Sequence, residues 1–243
     1  MAKSKKVVLF IVEGQTDQDT LSPILKKIFN KFNVRFHITK GDLLVKTKEN
    51  DIIPANAIMK INAHIKNEMQ RYGYTPKDMV KVIHLIDTDG AFIPNDKIIL
   101  NCQERMKYCT DRIETKNPEA TKRRNEGKKA IVHRLKDSDK IGGIPYCMLF
   151  FSRNLEHVLH NIERELTKDE KIDLADDFAF EYSDNIDGFK ALISSEAIKA
   201  PGDYRETWDF ILTGTNSLNR FSNLHLILED KHLFPQETDI EQS

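Results

Sequence analysis

The chain has 243 residues, of which 40% are hydrophobic and 31% charged, a composition that fits a folded globular protein and excludes a disordered one. Its formal net charge is −1, so the molecule as a whole is no polycation. The longest apolar runs, at 7–12 and 147–151, fall well short of the roughly 20 residues a membrane-spanning helix needs.

Residues 7–12 (VVLFIV) form a continuous run rich in β-branched side chains, the pattern of a strand buried on both faces, as in a parallel sheet. A basic start precedes it, and it runs into Glu13 with no small-residue cleavage site, so it reads as a first strand and not as a signal peptide. Glu13-Gly14 ends it. A helix follows, with Leu21, Ile24, Leu25, Ile28, Phe29 and Phe32 on one face. Its start has two readings. Thr16 or Asp17 caps it and Pro23 kinks the second turn, or Ser22 caps it and Pro23 takes the first helical position.

Residues 34–38 predict a second short strand. Residues 54–72 predict a long helix, with Ala57, Ile58, Ile61, Ile65 and Met69 inward and Gly73 as its stop. A third strand at 80–86 ends in Asp87-Thr88-Asp89-Gly90. A polar, partly helical region extends to about Lys140, then a fourth strand at 144–151 and a helix at 155–162. Beyond Lys168 the spacing predicts helices at 168–182, 186–198, 203–212 and 221–228, with no further strand. Residues 236–243 are polar and expected to fray.

This alternation predicts an α/β fold: a parallel sheet of about four strands flanked by helices, with right-handed crossovers and a helical C-terminal part. Residues 1–165 would form the α/β domain and 166–243 a helical subdomain or cap. Cys102, Cys109 and Cys147 make no CxxC pair, which predicts a reducing, cytoplasmic setting without structural zinc or disulfides.

Two of the clearest strands end in acids, and in open parallel sheets ligands bind outside the carboxyl ends of the strands. If the first and third strands are neighbours, Glu13, Asp87 and Asp89 converge. Three carboxylates at one place repel each other and are costly to bury. A divalent cation removes the conflict, and hard oxygen ligands favour Mg²⁺ or Mn²⁺. The alternative is that the aspartates are turn formers, since Asp-Gly is a common turn pair. A basic stretch containing Lys122, Arg123, Arg124, Lys128 and Lys129 could make a nucleic-acid footprint despite the near-neutral total, or a solvated helix face. His84 reads as a packed strand residue. His157 and His160 share a helix face with Glu156 but have no second cluster beside them, and Trp208 reads as packing with Tyr204 and Phe210.

The two motifs VVLFIVEGQTD and VIHLIDTDGAF together resemble the TOPRIM domain, marked by Glu-Gly after a first strand and Asp-x-Asp after a later one. Within that family they are similar to the OLD-type and RloB-like nucleases of bacterial defence systems. The resemblance covers roughly residues 6–162 and implies a TOPRIM-like Rossmannoid sheet. It implies that Glu13, Asp87 and Asp89 hold Mg²⁺ or Mn²⁺ for phosphodiester chemistry on DNA or RNA. Asp17 stands where those nucleases carry Glu and would join them. Glu156, after the fourth strand in SRNLEH, matches a further acid of the RloB-like group, although the Asn-Pro pair usual there is missing. Arg153, Lys40 and the basic stretch would then meet the phosphate backbone, Arg153 because it follows the fourth strand. No GxxxxGK[ST] occurs, so the chain either works with a separate ATPase partner or acts alone, as one copy or as a homo-oligomer.

Two other readings compete. A non-catalytic TOPRIM-like subunit would bind nucleic acid or a partner without cutting. LIDTDGAFI also looks like the first motif of haloacid-dehalogenase phosphatases, but that motif normally opens its domain and would leave Glu13 without a task.

Overall fold

The structure is a computed structural model and describes residues 6–30, 35–40, 43–44, 51–101, 106–230 and 233. Strand β1 (Val7–Val12) leads into helix α1 (Gln15–Asn30), strand β2 (Arg35–Lys40), helix α2 (Ala57–Tyr72) and strand β3 (Met79–Asp87). Three short strands follow, β4 (Ile98–Leu100), β5 (Lys107–Tyr108) and β6 (Ile113–Thr115), and then helix α3 (Pro118–Lys136). A hairpin of β7 (Lys140–Ile141) and β8 (Ile144–Phe151) precedes the helices α4 (Leu155–His160), α5 (Lys168–Ser183), α6 (Ile186–Ile193), α7 (Tyr204–Ile211) and α8 (Leu226–Glu229).

The main sheet runs β2-β1-β3-β8-β7. β2, β1, β3 and β8 are parallel, and β7 pairs antiparallel with β8 at the edge. The chain steps from β1 outward to β2 and then returns to the other side of β1 for β3. Strand order therefore reverses between β1 and β3, and such a switch point opens a crevice at the carboxyl ends of the two strands.

β1 is buried along its whole length because each face of the sheet has its own cover. Val7, Leu9 and Ile11 pack with Ile61 and Ile65 of α2, Ile131 of α3 and Trp208 of α7. Val8, Phe10 and Val12 pack with Leu21, Ile24 and Phe29 of α1 and with Phe178 and Phe189 of α5 and α6. The period-two alternation of a strand thus feeds two cores. The C-terminal helices contribute to both. Trp208 sits on the main sheet, its ring 4.9 Å from that of Phe150 and its indole N–H donating to the Met148 carbonyl at 3.3 Å.

Several expected boundaries are corrected. α1 starts at Gln15, so neither Ser22 nor Thr16 caps it, and Pro23 lies within the helix. The polar stretch after β3 contains a separate three-stranded sheet, β4-β6-β5, over a small core of Ile93, Ile98, Ile113 and Leu218. Its strands are two or three residues long, too short for a hydrophobic period to register. The helix expected at 186–198 stops at Ile193, that at 155–162 stops at His160, and that at 221–228 shrinks to Leu226–Glu229. Gly73 ends α2 as expected, at φ 67°, its N–H donating to the Gln70 and Met69 carbonyls.

The segment before α8 stitches the end of β8. Ser152 N–H donates to the Phe221 carbonyl at 2.8 Å, Ser222 Oγ donates to the Phe150 carbonyl at 2.7 Å, and Phe150 N–H donates to Asn223 Oδ1 at 2.8 Å. No helix among the described residues is long and apolar enough to cross a membrane.

Candidate functional site

The switch point carries the acids. Glu13 directly follows β1, Asp87 is the last residue of β3, and Asp89 lies two residues on. Asp17 comes from the first turn of α1, where its Oδ2 accepts the Gly14 N–H at 2.8 Å. That bond closes the start of the helix, a position where a carboxylate is favoured by the free N–H groups and the helix dipole. It also holds a nearly buried acid at the crevice.

The charges interact strongly. Burial pushes the Asp87 carboxyl well above the usual carboxylate range, and the neighbouring Asp17, Glu13 and Asp89 carboxylates push it further, with Lys128 pulling the other way. Burial also raises Asp17, opposed by the Gly14 N–H, and Glu156 raises it again. Five acids from the expected set, Glu13, Asp17, Asp87, Asp89 and Glu156, therefore belong to one electrostatic neighbourhood.

Lys128 of α3, expected on a nucleic-acid surface, is instead 1% exposed and inserted among these acids. Its ammonium lies 2.6 Å from Asp89 Oδ2 and 3.4 Å from Glu13 Oε1. Burial alone would lower the pKa of this lysine, but Glu13, Asp89 and Asp87 reverse the effect and hold it charged. Arg124, one turn earlier, also turns inward. It donates to the Asp89 carbonyl at 3.1 Å and to the Tyr108 hydroxyl at 3.3 Å. Arg123 is exposed, Lys129 half-exposed, and Lys122 pairs with Glu119 at 2.8 Å. Lys40 closes β2 opposite Val12 in the register, and its side chain lies outside the described residues.

Backbone geometry fixes the loop after β3. Asp89 (φ 50°) and Gly90 (φ 62°) are both left-handed. A Cβ added at Gly90 would come 2.5 Å from Leu218 Cδ2, so the position requires glycine on both conformational and steric grounds. Thr88, fully buried, ties this loop to the end of β8: its Oγ1 accepts the Arg153 N–H at 2.8 Å and donates to the Ser217 carbonyl at 3.3 Å.

Glu156, on the first turn of α4, pairs with Lys171 of α5 at 2.6 Å. Lys171 was not anticipated, because it stands in a stretch that reads as acidic. Nothing in its spacing points at the sheet. Arg153 does reach the same end of the sheet, but as a buried residue. His157 and His160 gather no ligand set: the His160 ring packs 5.2 Å from Phe178. His84 is a core residue, its Nδ1 2.9 Å from the Tyr146 hydroxyl. Among the described residues, no three His, Cys, Asp or Glu side chains are grouped closely enough as they stand to hold a metal ion.

Comparison with protein-family models, with curated proteins and with solved structures returned no match for the chain.

Proposed function

We propose that this chain is a TOPRIM-type, metal-dependent phosphodiester hydrolase acting on DNA or RNA, with its centre at the β1–β3 crevice. The observation that carries the reading is the convergence there of Glu13, Asp17, Asp87 and Asp89, close enough for each of the other three to raise the Asp87 carboxyl. Asp17 has a structural task at the start of α1 and Lys128 offsets Glu13 and Asp89, but neither accounts for placing Asp87 among them, because like charges in a partly buried place oppose folding.

The donor chemistry suits Mg²⁺ or Mn²⁺, although an ion would have to draw these acids closer together than they stand. The donor set is made of hard carboxylate oxygens in excess of the positive charge beside them. Glu13, Asp87 and Asp89 would hold the ion, which when bound would polarise a phosphate and lower the pKa of a water. Asp17, kept in place by the Gly14 N–H, and Glu156, kept in place by Lys171, stand behind them as groups able to orient that water or accept its proton. Lys128 is placed to meet negative charge wherever Asp89 and Glu13 release it. A setting in phage defence and a separate ATPase partner rest on the sequence resemblance alone.

A second reading draws on Lys128 itself. Its ammonium already pairs with two of the three proposed ligands, which suits a non-catalytic subunit that binds nucleic acid without metal. One experiment separates the two. Mg²⁺ and Mn²⁺ are titrated calorimetrically into the wild type and into the Asp87→Ala/Asp89→Ala variant, and plasmid, single-stranded DNA and tRNA are assayed for cleavage. Metal binding and cutting by the wild type alone support the hydrolase. No metal binding by either protein rejects it in favour of the binding subunit. Turnover of small phosphate monoesters would point instead to phosphatase chemistry.

A further inference from the structure

Arg153 is a charge for which the carboxylate cluster does not account. It is 5% exposed, and a guanidinium stays protonated even when buried. Burying such a charge is costly unless it is paired. Yet among the described residues its guanidinium meets no carboxylate oxygen. One Nη donates to the Glu163 carbonyl, the group lies 4.8 Å over the Tyr108 ring, and Nε finds no acceptor. Its backbone is equally constrained, at φ 58° with the N–H held by Thr88 and Ser217. The fold thus spends strain and desolvation to hold a cation that is incompletely satisfied.

That cation lines a cleft of about 270 Å³, together with Asn154, Glu156, Arg164, Glu165 and Lys171. Three cations and two carboxylates line it, with Lys171 already paired to Glu156 and Arg164 to Glu170. A second cleft of about 310 Å³ shares Tyr108, Arg153, Arg164 and Glu165 and adds Lys107 and Glu163. Lys171 joins the cleft to the centre: its ammonium pairs with Glu156, and its charge is favoured also by Asp87 and Asp17.

We infer that this cleft is a phosphate subsite for a nucleic-acid strand, with Arg153 and Lys171 as its donors, leading the strand to the β1–β3 crevice. The inference rests on the hydrolase reading for what happens next to the subsite, but the binding itself needs no metal. A phosphate oxygen in the cleft would accept from the outer nitrogens of Arg153, in a charge-assisted bond, while the buried Nε stays out of its reach. Tyr108 acts by position, its ring stacked against the guanidinium.

The test is binding of a fluorescent single-stranded oligothymidylate in EDTA, where metal-dependent cleavage is off. The wild type is expected to bind, with Arg153→Met and Lys171→Met each weakening it by about tenfold or more. Lys190→Met, an exposed cation on α6, is expected to change nothing. Inorganic phosphate is expected to compete with the oligonucleotide. No binding by the wild type, or equal binding by both cleft variants, overturns the inference. So does phosphate that binds without displacing the strand. Should Arg153→Met not fold, Lys171→Met decides alone, since its side chain is 36% exposed. Strand binding without cleavage in Mg²⁺ would sink the hydrolase reading and leave the subsite standing. Cleavage that survives both cleft variants, with binding unchanged, would do the reverse.

Discussion

Asp89 and Arg153, both left-handed at φ 50° and 58°, are joined backbone to backbone: the Asp89 N–H donates to the Arg153 carbonyl at 2.8 Å. A non-glycine residue in that region costs roughly 1–2 kcal/mol, so the two strained positions hold each other and need outside support. Thr88 provides it by accepting the Arg153 N–H and donating to the Ser217 carbonyl.

Thr88→Val keeps the shape and removes those bonds. Because the Arg153 N–H retains the Ser217 carbonyl at 3.1 Å, the expected loss is about 1–2 kcal/mol, read as a lower denaturant midpoint. Activity on nucleic acid should fall by more than the stability change explains, as Asp89 and Arg153 lose their fixed directions. A variant with unchanged midpoint and unchanged activity would show the hydroxyl to be idle.

Lys128→Met should destabilise the protein in EDTA by about 3 kcal/mol, the scale for removing one partner of a buried ion pair. Glu13 and Asp89 then lose the Lys128 ammonium that offsets them beside Asp87. Added Mg²⁺ or Mn²⁺ should restore a larger part of the melting temperature in this variant than it adds to the wild type. Thermal melts with and without metal decide it, and a metal-blind variant speaks against a shared cation site.

Asp87→Asn should act in the opposite direction. The native carboxyl is disfavoured by burial and by three neighbouring acids, so a neutral amide of the same size relieves repulsion. The expected gain is about 1 kcal/mol in EDTA, together with loss of metal-induced stabilisation and of cleavage. A variant less stable than the wild type in EDTA would mean that Asp87 has a favourable partner in the fold.

The core histidines pull stability down on the acid side, against the raised Asp87 and Asp17 carboxyls, whose protonation relieves repulsion there. Burial holds His84 down to about 3 and His157 down to about 4, against an ordinary value of 6.5. Between those values and the ordinary one, the unfolded chain binds protons that the native state refuses. The histidine contribution is therefore complete above about pH 6.5 and falls as the pH drops toward 4, by at most about 1.4 kcal/mol per pH unit for fully buried His84. Tyr146→Phe removes the phenol hydrogen-bonded to His84 Nδ1 and should cost a further 1–3 kcal/mol or so at neutral pH. Denaturant midpoints at pH 7, 6 and 5 in the Asp87→Asn background, where the largest opposing carboxyl is gone, test the slope, and a flat profile there would refute it.

The sequence made the central strands legible because β1 is buried on both faces and apolar without interruption, and because the inner parts of β3 and β8 are buried and mainly apolar. It also indicated the convergence of Glu13 and Asp87, since strand ends in a parallel sheet share one side. It could not reveal that Lys128 turns inward: a lysine in a run of basic residues carries no mark of its partner, and the choice between water and acids is made by the docking of α3. Lys171 and Thr88 were silent for the same reason, as their partners lie far away in the chain. The small β4-β6-β5 sheet escaped because its strands are too short to show a period.

The stitching of β8 by residues 217–223 has a consequence in time. Glu13, Asp17, Asp87 and Asp89 leave the ribosome early, since domains are made from the N-terminus onward. The supports that hold Asp89 and Arg153, from Ser217 to Asn223, follow Asp89 by more than a hundred residues. A nascent chain carrying all four acids therefore has no finished centre, and any chemistry performed there waits until residues 217–223 have been made.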